Sequence, residues 1–183
     1  VRVPLSAPNS FKSSARKAAD YTLSGSVFGK RRAHLCIRRT IMAFVTVVVA
    51  AEEDESASVG DAVQPLNEWS GIEIPGLDIP KIAMLHCLLT GDLLDVALDV
   101  YEPVYVSASN SIVLRVAGEM SEKLASVDEE ALDAIATELV ATGDFESEHW
   151  DTEDALDMLN ELVGLAQLAE SQGQVLFVWM HFE

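Results

Sequence analysis

RRTIMAFVTVVVAAEEDE, residues 38–55, decides how the rest of the chain is read. A basic pair, an eleven-residue apolar run from Ile41 to Ala51 and an acidic run follow one another. Eleven residues fall far short of the roughly 20 that a membrane-spanning helix needs, so no membrane anchor is expected. A signal peptide has better support. Lys30-Arg31-Arg32 and Arg38-Arg39 precede the run, and Val49-Ala50-Ala51 supplies the small residues of a cleavage site. Forty residues ahead of the apolar run are nevertheless too many for an ordinary n-region. Phe44 to Val49 are all β-branched or aromatic, which favours a strand. An unbroken run of this kind suits a strand buried on both faces.

The composition changes at the same place. Residues 1–41 hold nine of the twelve Lys and Arg against a single acid, Asp20, a net of +8. Residues 42–183 hold three cations, Lys81, Arg115 and Lys123, against 29 acids, a net of −26. Arg38-Arg39-Thr40-Ile41-Met42 is also what an in-frame ribosome-binding site would spell: purine-rich arginine codons, a two-codon spacer and a start codon. Residues 1–41 are therefore expected to be a mis-called leader. The alternative is a basic disordered tail, since Ser-rich and Lys/Arg-rich stretches cannot build a core. On either reading one folded domain occupies residues 42–183, long enough to bury roughly two thirds of its unfolded surface without metals or disulfides. Cys36 and Cys87 lie on opposite sides of the boundary and neither has a partner at metal-ligand spacing. That fits a reducing, cytoplasmic setting.

Beyond the strand, residues 52–76 are polar and broken by Gly60, Pro65, Gly71, Pro75 and Gly76, predicting a long loop with a short helix around 61–68. LDIPKIAMLHCLLTG, residues 77–91, has a capping Asp78, Pro80 for the first turn and Gly91 to stop it. Ile82, Leu85, His86 and Leu89 recur at helical spacing on a segment apolar almost all round, so this helix should be central. YEPVYV, residues 101–106, predicts a strand, and Pro103 an edge position for it. A helix is expected after Asn110, with Val113, Val116, Ala117, Met120 and Leu124 on one face. Asp128 opens a further helix stopped near Gly143, and Thr152 opens another that ends at Gly173. QVLFVWMHF, residues 174–182, is a second buried strand. The sum is an α+β fold: a small mixed sheet with helices packed over it, in a single domain.

Chemistry is sparsely marked. His86 and Cys87 are adjacent, but consecutive helical residues point about 100° apart and cannot face each other as nucleophile and base. A buried, satisfied His and an inert Cys are the expectation. DFESEHWDTED, residues 144–154, is the densest acidic run. As a calcium loop it fails, with His149 where Gly is required and Ala155 where a bidentate Glu belongs. Glu146, His149 and Glu153 could ligate a divalent ion, though a solvated loop and helix cap suits them better. No G-x-S-x-G, G-x-x-x-x-G-K-[ST], G-x-G-x-x-G or H-E-x-x-H occurs. Three cations cannot track a phosphate backbone, so residues 42–183 are not expected to bind nucleic acid. No catalytic, metal or cofactor-binding residue is assigned, and no cofactor is expected.

LHCLLTG at 85–91 resembles the LH-x-x-LTG helix of the YfbM-like family, bacterial domains of unknown function. Other pieces agree in order: LDI at 77–79 before the helix, MSEKLASVDEEAL within paired helices, Trp150 before an acidic helix start, and GQVLFVW as a closing strand. Where the family usually places aromatic residues, this chain has Ile82 and Cys87. The resemblance implies a fold and carries no activity with it.

Two functions follow from these readings. The first is a non-enzymatic acidic domain that binds a basic protein, as an immunity protein or antitoxin covers a toxin. Its contact residues would be Asp144, Glu146, Glu148, Asp151, Glu153 and Asp154. A surface so acidic repels itself but speeds encounter with a cationic partner. The alternative is a small-molecule-binding domain or enzyme with a pocket near His86, Thr90 and Trp150.

Overall fold

The apolar run after Ala43 is a strand, and its unbroken hydrophobicity has the expected cause. A computed structural model describes residues 44–142, 145 and 150–182, within a unit spanning Thr40–Glu183. The leader and the expected start at Met42 lie outside the described residues. Strand β1 (Phe44–Ala51) pairs along its whole length with β5 (Val175–Phe182), from Phe44 opposite Phe182 to Ala51 opposite Val175. The alternate side chains of β1 then enter two different cores. Val48 and Ala50 face a large helical layer, while Val47, Val49 and Ala51 face a smaller cluster on the other side. A valine buried in this way contributes about 1.5–3 kcal/mol.

The sheet has five strands in the order β2-β1-β5-β4-β3, where β2 is Ser70–Glu73, β3 Pro103–Val106 and β4 Ser111–Arg115. Every registered pair is antiparallel, so the sheet is not mixed as expected. Local reversal is the reason at one edge: four residues join β3 to β4, a connection only antiparallel neighbours allow. Pro103 does mark an edge strand. Close approach explains Gly71 in β2. A Cβ there would run into the Val48 carbonyl of β1.

Six α-helices are present among the described residues: α1 (Ser56–Asp61), α2 (Ile79–Thr90), α3 (Leu94–Val100), α4 (Gly118–Ser126), α5 (Glu129–Val140) and α6 (Thr152–Gln172). Three start on an aspartate whose carboxylate accepts a backbone N–H of the first turn: Asp78 for α2, Asp128 for α5 and Asp151 for α6. Gly91 and Gly173 end α2 and α6 with φ of 84° and 70°, the left-handed closure that glycine adopts without strain. Ile82 and Leu85 of α2, Met120 and Leu124 of α4, and Leu162 of α6 meet Val48 and Val178 over the sheet. Helix α1 and a 3-10 turn at Pro65–Asn67 lie on the second face, where Val59 and Trp69 join the smaller cluster.

Two expectations are corrected. No helix follows Asn110 directly: residues 111–115 form β4, and the helix starts only at Gly118. Asn110 itself has φ 63° and closes the β3–β4 turn, a left-handed conformation that Asn tolerates. The short helix expected around 61–68 ends at Asp61 instead, followed by the separate turn at Pro65. Helix α3 and strand β2 were not anticipated.

Candidate functional site

An open cleft of about 390 Å³ lies where the end of β2 meets the first half of α6. Its floor is apolar, made by Ile74, Pro75 and Met158, with the half-buried Trp150 in its wall. Four exposed carboxylates ring it: Glu73 from β2 and Asp154, Asp157 and Glu161 from α6. Residues 154, 157, 158 and 161 are three, four and seven apart, the spacing that puts side chains on one helix face. The carboxylates therefore form a row along the cleft. Asp151 fixes where α6 begins, its carboxylate accepting the Asp154 N–H at 2.9 Å.

Trp150 is braced from behind. Its ring meets the buried Phe145 edge to face, with centroids 5.4 Å apart. The Lys81 ammonium sits 5.8 Å from the Phe145 centroid, donates to the Gly76 carbonyl at 2.8 Å and pairs with Asp78 at 3.4 Å. The start of α2, the turn at Gly76 and the cleft wall are thus tied together. Chemically, the cleft suits a cation carried on an apolar shaft. Carboxylates hold the charge, the floor covers the methylenes, and an indole face attracts an ammonium or guanidinium.

His86 belongs to a different place. It is 2 % exposed on α2, with Nδ1 2.9 Å from the Tyr101 hydroxyl and Nε2 3.1 Å from an Asp92 carboxylate oxygen. A carboxylate only accepts, so Nε2 carries a hydrogen. In the neutral ring, Nδ1 then accepts from the Tyr101 hydroxyl. In the imidazolium both nitrogens donate, and the hydroxyl can turn to Met120 Sδ, 3.0 Å away. Burial pushes the Tyr101 hydroxyl far above the ordinary tyrosine range, so it does not supply a phenolate nucleophile. Burial first, then the Asp92 carboxylate, push the Cys87 thiol up as well, away from thiolate chemistry. Thr90 donates to the His86 carbonyl at 2.9 Å and receives the Asp92 N–H, finishing the helix. The group is a clamp holding α3 to α2.

The structure separates the three residues expected to share a pocket. His86 and Thr90 sit together at the end of α2, whereas Trp150 lines the cleft beside Asp154. The structure describes half of the expected contact surface. Asp151, Glu153 and Asp154 are exposed at the start of α6, while Asp144, Glu146 and Glu148 lie outside the described residues, as does His149. Among the described residues, no three His, Cys, Asp or Glu converge to hold a metal ion. Glu73, Asp157 and Glu161 were missed by sequence reasoning. The spacing of Asp157 and Glu161 from Asp154 was the available signal, whereas Glu73 arrives from about 80 residues away and gave none.

No protein-family model, curated protein or solved structure matches the chain.

Proposed function

We propose that this chain is a non-enzymatic binding domain whose acidic surface docks on a basic protein, in the manner of an immunity protein or antitoxin. The observation that carries the reading is the placement of charge. Of the three cations in residues 42–183, Lys81 is buried and Arg115 is paired with Glu53 at 2.7 Å. Among the described residues no Asp or Glu is buried, and those of α6 line a cleft whose carboxylates and apolar floor suit a lysine or arginine side chain. A surface with this bias speeds encounter with a cationic partner and rejects anionic ones. Membership of the YfbM-like family belongs to the same proposal, supported by LDI ahead of the LHCLLTG helix and by the closing strand GQVLFVW. A reducing, cytoplasmic setting does too, supported by the half-buried thiol of Cys87. Among the described residues, no helix is long and apolar enough to cross a membrane.

A second reading, a small-molecule site, is favoured by the apolar floor and Trp150 of the cleft, which would take an organic cation. Pull-down from the native host at low and high salt separates the two, using wild-type bait and bait carrying Asp154→Asn, Asp157→Asn and Glu161→Gln. The binding-domain reading expects a basic protein that salt releases and the neutralised bait fails to hold. Absence of any such protein at low salt, with a small cation co-purifying instead, would transfer the assignment to the small-molecule site.

A further inference from the structure

We propose that β3, which the chain enters from α3, is a docking edge for an extended basic and apolar segment of another protein, which adds there as a sixth strand. Among the described residues, the large apolar side chains left exposed fall mostly within residues 93–106, Val63 and Leu66 being the exceptions. Leu93 is 70 % exposed, Val96 48 %, Val100 45 %, Val104 49 % and Val106 65 %. Apolar surface concentrated in this way marks interaction sites rather than ordinary solvent-facing faces. Val106 pairs with Ile112, so it lies on the helix-covered side of the sheet, yet the helical layer stops short of it. On the opposite side Tyr105 is held by Asp61 of α1 at 2.9 Å, which fixes the strand in place. Strand β3 is also the terminal strand of the sheet, with a register shift between Pro103 and Tyr105, so beyond that bulge its outer backbone N–H and C=O groups have no ladder partner within the sheet. An extended segment laid against such an edge gains main-chain hydrogen bonds, with pockets for alternate side chains.

Charge selects the occupant. Asp92, Asp95, Asp99 and Glu102 are exposed among the apolar residues, and no Lys or Arg occurs between Lys81 and Arg115. A second copy meeting this edge across a two-fold axis would set the acids against themselves. A basic segment with alternating apolar residues places a valine-like side chain on Val106, next to the exposed Val104 of the bulge, and its cations near Asp99 and Glu102. This edge is at the other end of the sheet from the Trp150 cleft, and the proposal does not depend on what the cleft holds.

The test uses the full chain and three synthetic octapeptides: alternating Lys–Val, alternating Lys–Ser and alternating Glu–Val. The Lys–Val peptide is expected to bind, to slow amide exchange within residues 104–106, and to lose about tenfold or more in affinity on Val104→Ser with Val106→Ser. Both valines are exposed, so this variant should keep the wild-type Tm. Asp157→Asn with Glu161→Gln in the cleft should leave that binding in place. Absence of binding, equal binding of the Lys–Ser peptide, or tight binding of the Glu–Val peptide would overturn the proposal. Loss of binding on the cleft variant alone would leave the cleft reading standing and this one refuted. A dimer of the chain that itself protects β3 would replace the basic segment with a second copy.

Discussion

His86 Nδ1 and the Tyr101 hydroxyl lie 2.9 Å apart, with their rings edge to face at 5.6 Å between centroids, and this pair joins the core of α2 to the end of α3. Both residues are 2 % exposed. Tyr101→Phe keeps the ring and removes the hydroxyl, leaving a buried imidazole nitrogen without its partner. Such an orphaned group costs about 1–3 kcal/mol. Urea unfolding should show that loss, and amide exchange across residues 94–100 should rise more than across β5. Uniform exchange would mean that the clamp does not hold α3.

Leu85→Ala tests the layer above the sheet. Leu85 is 1 % exposed and borders a void of about 20 Å³ shared with Val48, Leu124, Leu162 and Val178. Truncation enlarges a space already enclosed by apolar side chains of α2, α4, α6 and the sheet, so filling it requires several of these elements to shift. A loss of about 2–5 kcal/mol is expected from chemical denaturation. A change near zero would place α2 at the periphery.

The elements legible in the sequence were those whose signals are local and redundant. Strand β1 showed as a β-branched run, and α2 as an aspartate cap with helical spacing. Helix α5 showed as an opening Asp128 with a stop near Gly143, and α6 as a start at Thr152 and a stop at Gly173, though its cap, Asp151, was not read. Strand β4 was misread because Val113, Val116, Ala117, Met120 and Leu124 happen to fall at helical intervals. The first of these belongs to a strand and the last two to a helix, with Val116 and Ala117 in the join. Asn110 and Gly118 mark the two breaks, and both signals were available. Helix α3 was missed because its apolar residues form no stripe, several of them facing solvent. The cleft was half legible. Trp150 was read as part of a pocket and Asp154 as part of a contact surface although they lie only four positions apart, whereas Glu73, Ile74 and Pro75 reach the cleft only by tertiary contact between the end of β2 and α6.

Cys87 gives a pH-dependent observable. Burial and then Asp92 raise its pKa, so at any given pH less thiolate is present than for a free cysteine. Its rate of alkylation by iodoacetamide, followed on its own peptide by mass spectrometry, should reach half-maximum at a higher pH than that of a model thiol. Asp92→Asn keeps an acceptor for His86 but removes the charge. It should bring the alkylation profile down only part of the way, because burial is the larger cause. A profile coinciding with the model thiol would show that α2 opens freely at this position.

The carboxylate row of α6 should reveal a conflict between stability and binding. Asp157 and Glu161 are one helical turn apart on the same exposed face, and like charges at that spacing oppose helix formation. Asp154 differs, since it sits in the first turn, where the helix dipole favours a negative charge. Glu161→Gln is therefore expected to raise Tm at low salt, and Asp154→Asn to lower it or leave it unchanged. Both effects should fade above about 0.5 M salt, where the Debye length is shorter than the spacing along the row. If the row exists to hold a cationic side chain, Glu161→Gln should weaken capture of a basic partner while stabilising the fold. A variant that gains stability and keeps its partner would show that the row serves hydration alone, and the cleft would then have no part in recognition.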